Sequence, residues 1–169
     1  MKIKEIIARR KLATIISNIE RSPVFPNINE VKSIGLIWQP TQKEAFQYIK
    51  SYFNNEQVIF REFCVFEAIT NQHQDANMIT VKDLDFWGLP KQDKVDEFIN
   101  IRFEILFNIA SEGNLVSDYI TALSQAHFKV GSSSNENNYF DLNINIGKNP
   151  DPMYVAKQQI FYLAQLNKE

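Results

Sequence analysis

Apolar and polar positions alternate most informatively over residues 103–131, FEILFNIASEGNLVSDYITALSQAHFKVG. Phe103, Ile105, Phe107 and Ile109 fall on one face and Leu106 adds apolar surface to the other, which predicts a strand covered on both sides. Ala110–Asn114 is small or polar and predicts a turn. Asn114 is placed to accept from the free N–H groups of the next helix, and Asp118 suits the positive end of its dipole. Leu115, Tyr119, Ala122 and Ala126 then recur at helical spacing, with Val116, Ile120 and Leu123 widening the stripe. His127–Val130 predicts a short strand that Gly131 ends. This succession is one βαβ unit, the building block of a parallel sheet.

The same pattern extends in both directions. Residues 2–21 predict a helix with Ile3, Ile6, Ile7, Ala13, Ile16 and Ile19 roughly on one side and Arg9, Arg10 and Lys11 on the solvent side. Two prolines make Ser22–Asn29 a linker. Ser33–Trp38 predicts the first sheet strand. A T-x-x-E box at Thr41–Glu44 then opens a helix with Phe46, Ile49 and Phe53 inward, and Gln57–Phe66 predicts the second strand. Ala68–Asn77 is polar and loop-like, Met78–Val81 a brief strand, and the FWGLP run a turn whose aromatics plug the domain surface. Lys91–Asn100 predicts a short helix with Val95, Phe98 and Ile99 inward.

After Gly131 the polar loop Ser132–Asn138 is about seven residues, shorter than the dozen or so that a parallel crossover needs. Tyr139–Ile146 is therefore expected to run antiparallel, at a sheet edge, with Phe140, Leu142, Ile144 and Ile146 inward. Asp151 caps a last helix that has Pro152 at its first position, and Tyr154, Ile160, Phe161, Leu163 and Leu166 supply its apolar contacts. The expected fold class is α/β: a three-layer, Rossmann-like or flavodoxin-like, mostly parallel sheet with an antiparallel edge strand and an extra N-terminal helix. Residues 1–29 form the basic helix and its proline-containing linker, and residues 30–169 a single α/β domain.

Composition agrees with this picture: 44% hydrophobic and 22% charged residues suit an ordinary globular chain, and thirteen Phe imply a core rich in aromatic rings. No apolar run approaches the ~20 residues of a membrane span, and no signal-peptide pattern is present. The single cysteine, Cys64, lies among apolar residues and reads as a core thiol, so a cytoplasmic location is expected. Net charge is −2, but residues 1–33 carry seven basic side chains against three acidic ones.

Catalytic signatures are sparse. Five glycines include no G-x-x-x-x-G-K-[ST] loop, G-x-G-x-x-G fingerprint or G-x-S-x-G elbow. His73 and His127 have no partner at metal-ligand spacing, and Asp83 and Asp85 read as turn caps beside the FWGLP aromatics. No cofactor and no metal are expected. In an open parallel sheet, ligands bind beyond the carboxyl ends of the strands. That rule selects Gln39, Thr41, Thr70, Asn71, Asn108, Ser111, Glu112 and Ser132 as candidate ligand-binding residues, a hydrogen-bonding set that also suits capping and turns.

FWGLP (86–90), FEILFNIA (103–110), ALSQAHFKVG (122–131) and YFDLNI (139–144) resemble an uncharacterised family of small α/β proteins of Bacteroidetes, a domain of unknown function. The resemblance spans roughly residues 1–166, with Glu104 where an aspartate is expected, and it implies no assigned activity. Over about 30 residues the chain also resembles the N-terminal half of heptosyltransferase-like GT-B glycosyltransferases, in a strand, polar turn, helix and strand ending in Val-Gly. The second Rossmann-like half, which carries the nucleotide-sugar site in those enzymes, has no counterpart here. The leading expectation is a non-catalytic binding or protein-interaction protein, leaning away from an enzyme. One alternative is a degenerate or partner-dependent glycosyltransferase-like enzyme. Another is association with RNA, a ribosome or a membrane surface through Arg9, Arg10 and Lys11. A protein partner or a homo-oligomer is expected to use the N-terminal helix.

Overall fold

The computed structural model describes residues 3–66, 78–134, 139–148 and 150–167. Six strands, β1 (Ser33–Trp38), β2 (Ile59–Val65), β3 (Met78–Ile79), β4 (Ile105–Asn108), β5 (Lys129–Gly131) and β6 (Leu142–Asn143), form one sheet in the order β3-β2-β1-β4-β5-β6. Every pairing is parallel. The helices are α1 (Ile3–Ser17), α2 (Lys43–Tyr52), α3 (Gln92–Ile99), α4 (Leu115–Leu123) and α5 (Pro152–Gln165).

The period-2 alternation decides which helix each strand residue meets. Ile34, Leu36, Ile105, Phe107 and Ile109 pack with α2 and α5 through Phe46, Ile49, Phe53, Ala156, Ile160 and Leu163. Ile37 and Leu106 point the other way, to Val95, Phe98 and Ile99 of α3 and Val116 and Ile120 of α4. Phe103 precedes β4 and joins this second cluster, so it does not share the face of Ile105. Gly35 lets the Phe103 ring approach the centre of β1: a Cβ there would lie 2.6 Å from Phe103 Cδ2 and 3.0 Å from Leu106 Cδ1.

The expected antiparallel edge strand is parallel instead. β5 ends at Gly131 and β6 starts only at Leu142, so the two strands are further apart along the chain than the polar loop alone suggests. Asp141 N–H donates to Lys129 O at 2.8 Å and Ile144 N–H to Gly131 O at 3.0 Å, setting Val130 against Leu142 and Gly131 against Asn143. The strand does lie at the edge, with Ile144 buried and Asn143 and Asn145 exposed.

The N-terminal helix also differs from its pattern. Apolar residues are scattered around α1, and the buried line is Ala8 and Leu12, while Ile3, Ile6, Ile15 and Ile19 are exposed. Its anchor is polar and aromatic: Lys4 Nζ sits 4.0 Å from the centre of the Phe86 ring and Lys11 Nζ 4.8 Å from that of Trp87. The FWGLP aromatics thus face α1. Asp85 holds their turn by accepting from the N–H groups of Trp87 and Leu89 at 2.8 and 3.0 Å. The box expected at Thr41–Glu44 forms instead between Gln39 and Gln42 around the short 3-10 turn Pro40–Gln42, because Gln42 Oε1 reaches back to the Gln39 N–H at 2.9 Å. In α5, Tyr154, Phe161 and Leu166 are exposed, and Val155 and Ala156 join Ile160 and Leu163 in the core.

Lys129 is the one buried lysine among the described residues, 1% exposed, with Nζ donating to Ala122 O at 3.1 Å. Burial pushes its ammonium down to about 7, and the charge of Arg21 pushes the same way against Asp141. The unfolded chain keeps that proton up to the ordinary 10.5, so between these values the unfolded state binds more protons and stability rises with pH. Urea midpoints should therefore climb from pH 7 to pH 9. Lys129→Met should flatten the climb, and parallel curves for the two proteins would refute this assignment. Separately, Gly35→Ala should lose about 1–3 kcal/mol through overpacking against Phe103; urea unfolding with an unchanged m-value measures it.

Candidate functional site

The strand order reverses between β1 and β4, the place where open α/β sheets form their crevice. Here that place is filled by amides. Gln39, 3% exposed, accepts from the Ser111 N–H through Oε1 at 2.8 Å, and Gln42 Nε2 donates to Ile109 O at 2.7 Å. Asn108 Nδ2 donates to Thr121 Oγ1 at 2.9 Å while its Oδ1 accepts from the Ala110 N–H at 2.9 Å. Gln159, fully buried on α5, donates from Nε2 to Asn108 O at 2.9 Å and to Ser132 Oγ at 3.1 Å; its Oε1 has no partner. Strand ends leave carbonyls and N–H groups that must be bonded where water is excluded, and these four side chains supply the partners.

Open space lies beside this plug. One cavity of about 310 Å³ sits over the ends of β4 and β5 and is lined by Arg9, Ser111, Glu112, Ser117, Asp118 and Tyr139. A second, of about 420 Å³, extends towards β6 and the start of α5, with Thr41, Ser132, Ser134 and Lys148 in its wall. Ala110, Ser111, Glu112 and Ser132 border both. The turn that carries Ser111 and Glu112 closes at Gly113, whose φ of 85° is the left-handed conformation glycine tolerates. Asn114 caps α4, accepting from the Ser117 N–H at 3.0 Å.

Arg9 walls the first cavity instead of pointing to solvent. Its Nη1 lies 3.0 Å from Asp118 Oδ2, Nη2 donates to Gly113 O at 2.8 Å, and Nε faces Glu5 at 3.4 Å. Burial raises the Asp118 carboxyl above its usual range, and Arg9 pulls it only part of the way back. For Arg9, burial pulls downward, and the bonds to Asp118 and Glu5 more than offset it, leaving the guanidinium above its ordinary value.

Residues 4–166 match the family of unknown function DUF6913. The chain belongs to that family. No curated protein and no solved structure matches it.

Of the rim residues expected from the strand-end rule, Gln39 and Asn108 belong to the plug, while Thr41, Ser111, Glu112 and Ser132 front the cavities. Thr70, Asn71 and His73 lie outside the described residues. Arg10 is exposed, Lys11 stacks on Trp87, and His127 is exposed at the mouth of β5. Among the described residues no three His, Cys, Asp or Glu side chains gather as metal ligands, and no helix is long and apolar enough to cross a membrane.

Sequence reasoning put Arg9 on a partner surface and not in a cavity wall, and missed Asp118, Ser133, Ser134, Lys148 and Gln159 as site residues. Gln159 left a trace, a polar residue inside the buried run of α5 between Ala156 and Ile160. The others are brought together only by folding.

Arg9→Met should lower stability by about 1–3 kcal/mol at pH 7, since it leaves the buried Asp118 without its charged donor. A raised folded-state value means that Asp118 keeps its proton longer in the folded chain, so stability falls as pH rises through that window. The deficit of the variant should accordingly shrink towards pH 4.5, as read by urea unfolding at both values; a deficit independent of pH would refute the pairing.

Proposed function

We propose that this chain is a non-catalytic binding protein that holds a small polar ligand in the paired cavities over the carboxyl ends of β4, β5 and β6. The observation that carries this reading is the position of Ser111, Glu112 and Ser132, which border both cavities on a rim made rigid by the bonds of Gln39, Gln42, Asn108 and Gln159. Groups pre-set in this way need little ordering when a ligand arrives, and a few convergent polar groups in a concave site are the usual makings of recognition.

The β3-β2-β1-β4-β5-β6 order, with helices on both faces, supports a Rossmann-like layering. The amide plug then displaces the ligand from the reversal between β1 and β4 towards β5 and β6. That displacement counts against a glycosyltransferase-like enzyme, whose nucleotide would enter at the reversal. Association with RNA or a membrane surface through α1 is weakened by the engagement of Arg9 with Asp118 and of Lys11 with Trp87.

Thermal-shift screening of sugars, amino acids, nucleosides and their phosphorylated forms tests the reading. A true ligand at a hundred times its Kd should stabilise the folded chain by about 2.7 kcal/mol. Ser111→Trp, at an exposed position bordering both cavities, should abolish the shift while leaving the unliganded melting temperature in place. A ligand that stabilises wild type and Ser111→Trp equally would place binding elsewhere.

A further inference from the structure

Glu112 is an exposed glutamate, yet it is not left to water. The buried Ser133 hydroxyl donates to Oε1 at 3.0 Å, the Ser134 N–H to the same oxygen at 3.1 Å, and the Ser134 hydroxyl lies 2.9 and 2.8 Å from Oε1 and Oε2. These donors come from the loop after β5, whereas Glu112 comes from the turn after β4, so the contact joins the ends of adjacent strands across the rim. The Ser133 hydroxyl and the Ser134 N–H meet on Oε1, and the single proton of the Ser134 hydroxyl can serve either oxygen.

On the Arg9 side Asp118 repels Glu112, but on the side of β6 the surroundings favour negative charge at this corner. The 420 Å³ cavity beside it is bordered by one acid, Glu112, and one cation, Lys148, among the described residues. The first turn of α5, at Pro152 and Val155, and the Thr41–Gln42 turn that leads into α2 also border it, so the positive ends of two helix dipoles face the same space.

We propose that the Ser133–Ser134 corner is a subsite for a phosphoryl group, and that the Glu112 carboxylate occupies it as an internal stand-in until a phosphorylated ligand displaces it. This rests on the cleft reading above and names the chemistry that the cleft recognises. A phosphoryl group spreads its charge over three acceptor oxygens, to which the Ser133 hydroxyl, the Ser134 N–H and the Ser134 hydroxyl can all donate. It also brings a second charge within the field of Lys148. Glu112 gives the corner specificity by competing: a ligand must outweigh a tethered carboxylate, so weak anions such as chloride leave it closed. No bond is made or broken in the exchange, and the released Glu112 side chain turns to solvent.

The competition is directly measurable. Inorganic phosphate and phenyl phosphate are titrated into wild type, Glu112→Gln and Glu112→Gln/Ser133→Ala/Ser134→Ala by calorimetry, with sodium chloride holding ionic strength constant. Glu112→Gln removes the competing charge and should bind phosphate about tenfold more tightly than wild type, because the fraction of open corner rises. The triple variant should lose about tenfold of that affinity. Should Ser133→Ala disturb folding, Glu112→Gln/Ser134→Ala carries the same comparison. Tighter binding of phenyl phosphate than of phosphate marks an ester as the ligand, and the reverse marks the free ion; either supports the subsite.

Equal phosphate affinity in wild type and Glu112→Gln, or no loss in the serine variants, would overturn the proposal. A neutral ligand lost in Ser111→Trp but insensitive to Glu112→Gln would also overturn it, while leaving the cleft reading intact. Phosphate that binds Glu112→Gln tightly and is undisturbed by Ser111→Trp would do the opposite.

Discussion

Everything at the functional end of this protein depends on one constraint: the backbone groups where the strands stop must be hydrogen-bonded, because the helices on both faces exclude water there. Gln39, Gln42, Asn108 and Gln159 meet that demand with amides, which can donate and accept at once. An amide plug fixes the turn after β4 against the turn after β1, and with it the position of Ser111 and Glu112. The same bonds fill the reversal of strand order, so the accessible cavities lie one strand further along. Scaffold and site are thus set by one network.

A second dependence runs through α1. Only Ala8 and Leu12 are buried along its length, which is too little apolar contact to hold fifteen residues of helix by the hydrophobic effect alone. The helix is held by charge: Arg9 on Asp118 and Gly113, Lys4 on Phe86 and Lys11 on Trp87. Partly buried charged contacts of this kind weaken with salt, whereas the packing of α2 and α5 on the sheet does not. Arg9 therefore joins the most weakly docked helix to the wall of a cavity, and the docking of α1 and the shape of that cavity are coupled.

The two carboxylates of the polar rim are both engaged by internal donors. Asp118 is raised by burial but turned to Arg9, and Glu112 is spent on Ser133 and Ser134. Both carboxylates act as acceptors for internal donors. The proposed binding role asks no more of Glu112 than that, since the proposed displacement needs only that a ligand offer the same donors a better acceptor.

Much of the fold was legible in the sequence because local periodicity and burial coincide there. Ser33–Trp38 was predicted residue for residue, the inward stripe of α2 is the observed one, and Asn114 and Asp151 cap the helices they were expected to cap. Periodicity failed where apolar residues are not the ones that anchor, as in α1, and where a connection borrows residues from an alternating run, as in β6. The rim residues Ser111, Glu112 and Ser132 were readable from the strand-end rule alone. Arg9 and Asp118, 109 positions apart, were not, and neither was the capture of Glu112 by serines some twenty residues later. Chain order and pattern determined the strands, helices and caps, which depend on neighbours within a few residues. Which polar groups plug the strand ends, and which stand open beside them, was decided only in three dimensions, because a hydrogen bond requires contact and only the packing of helices on the sheet brings those residues together.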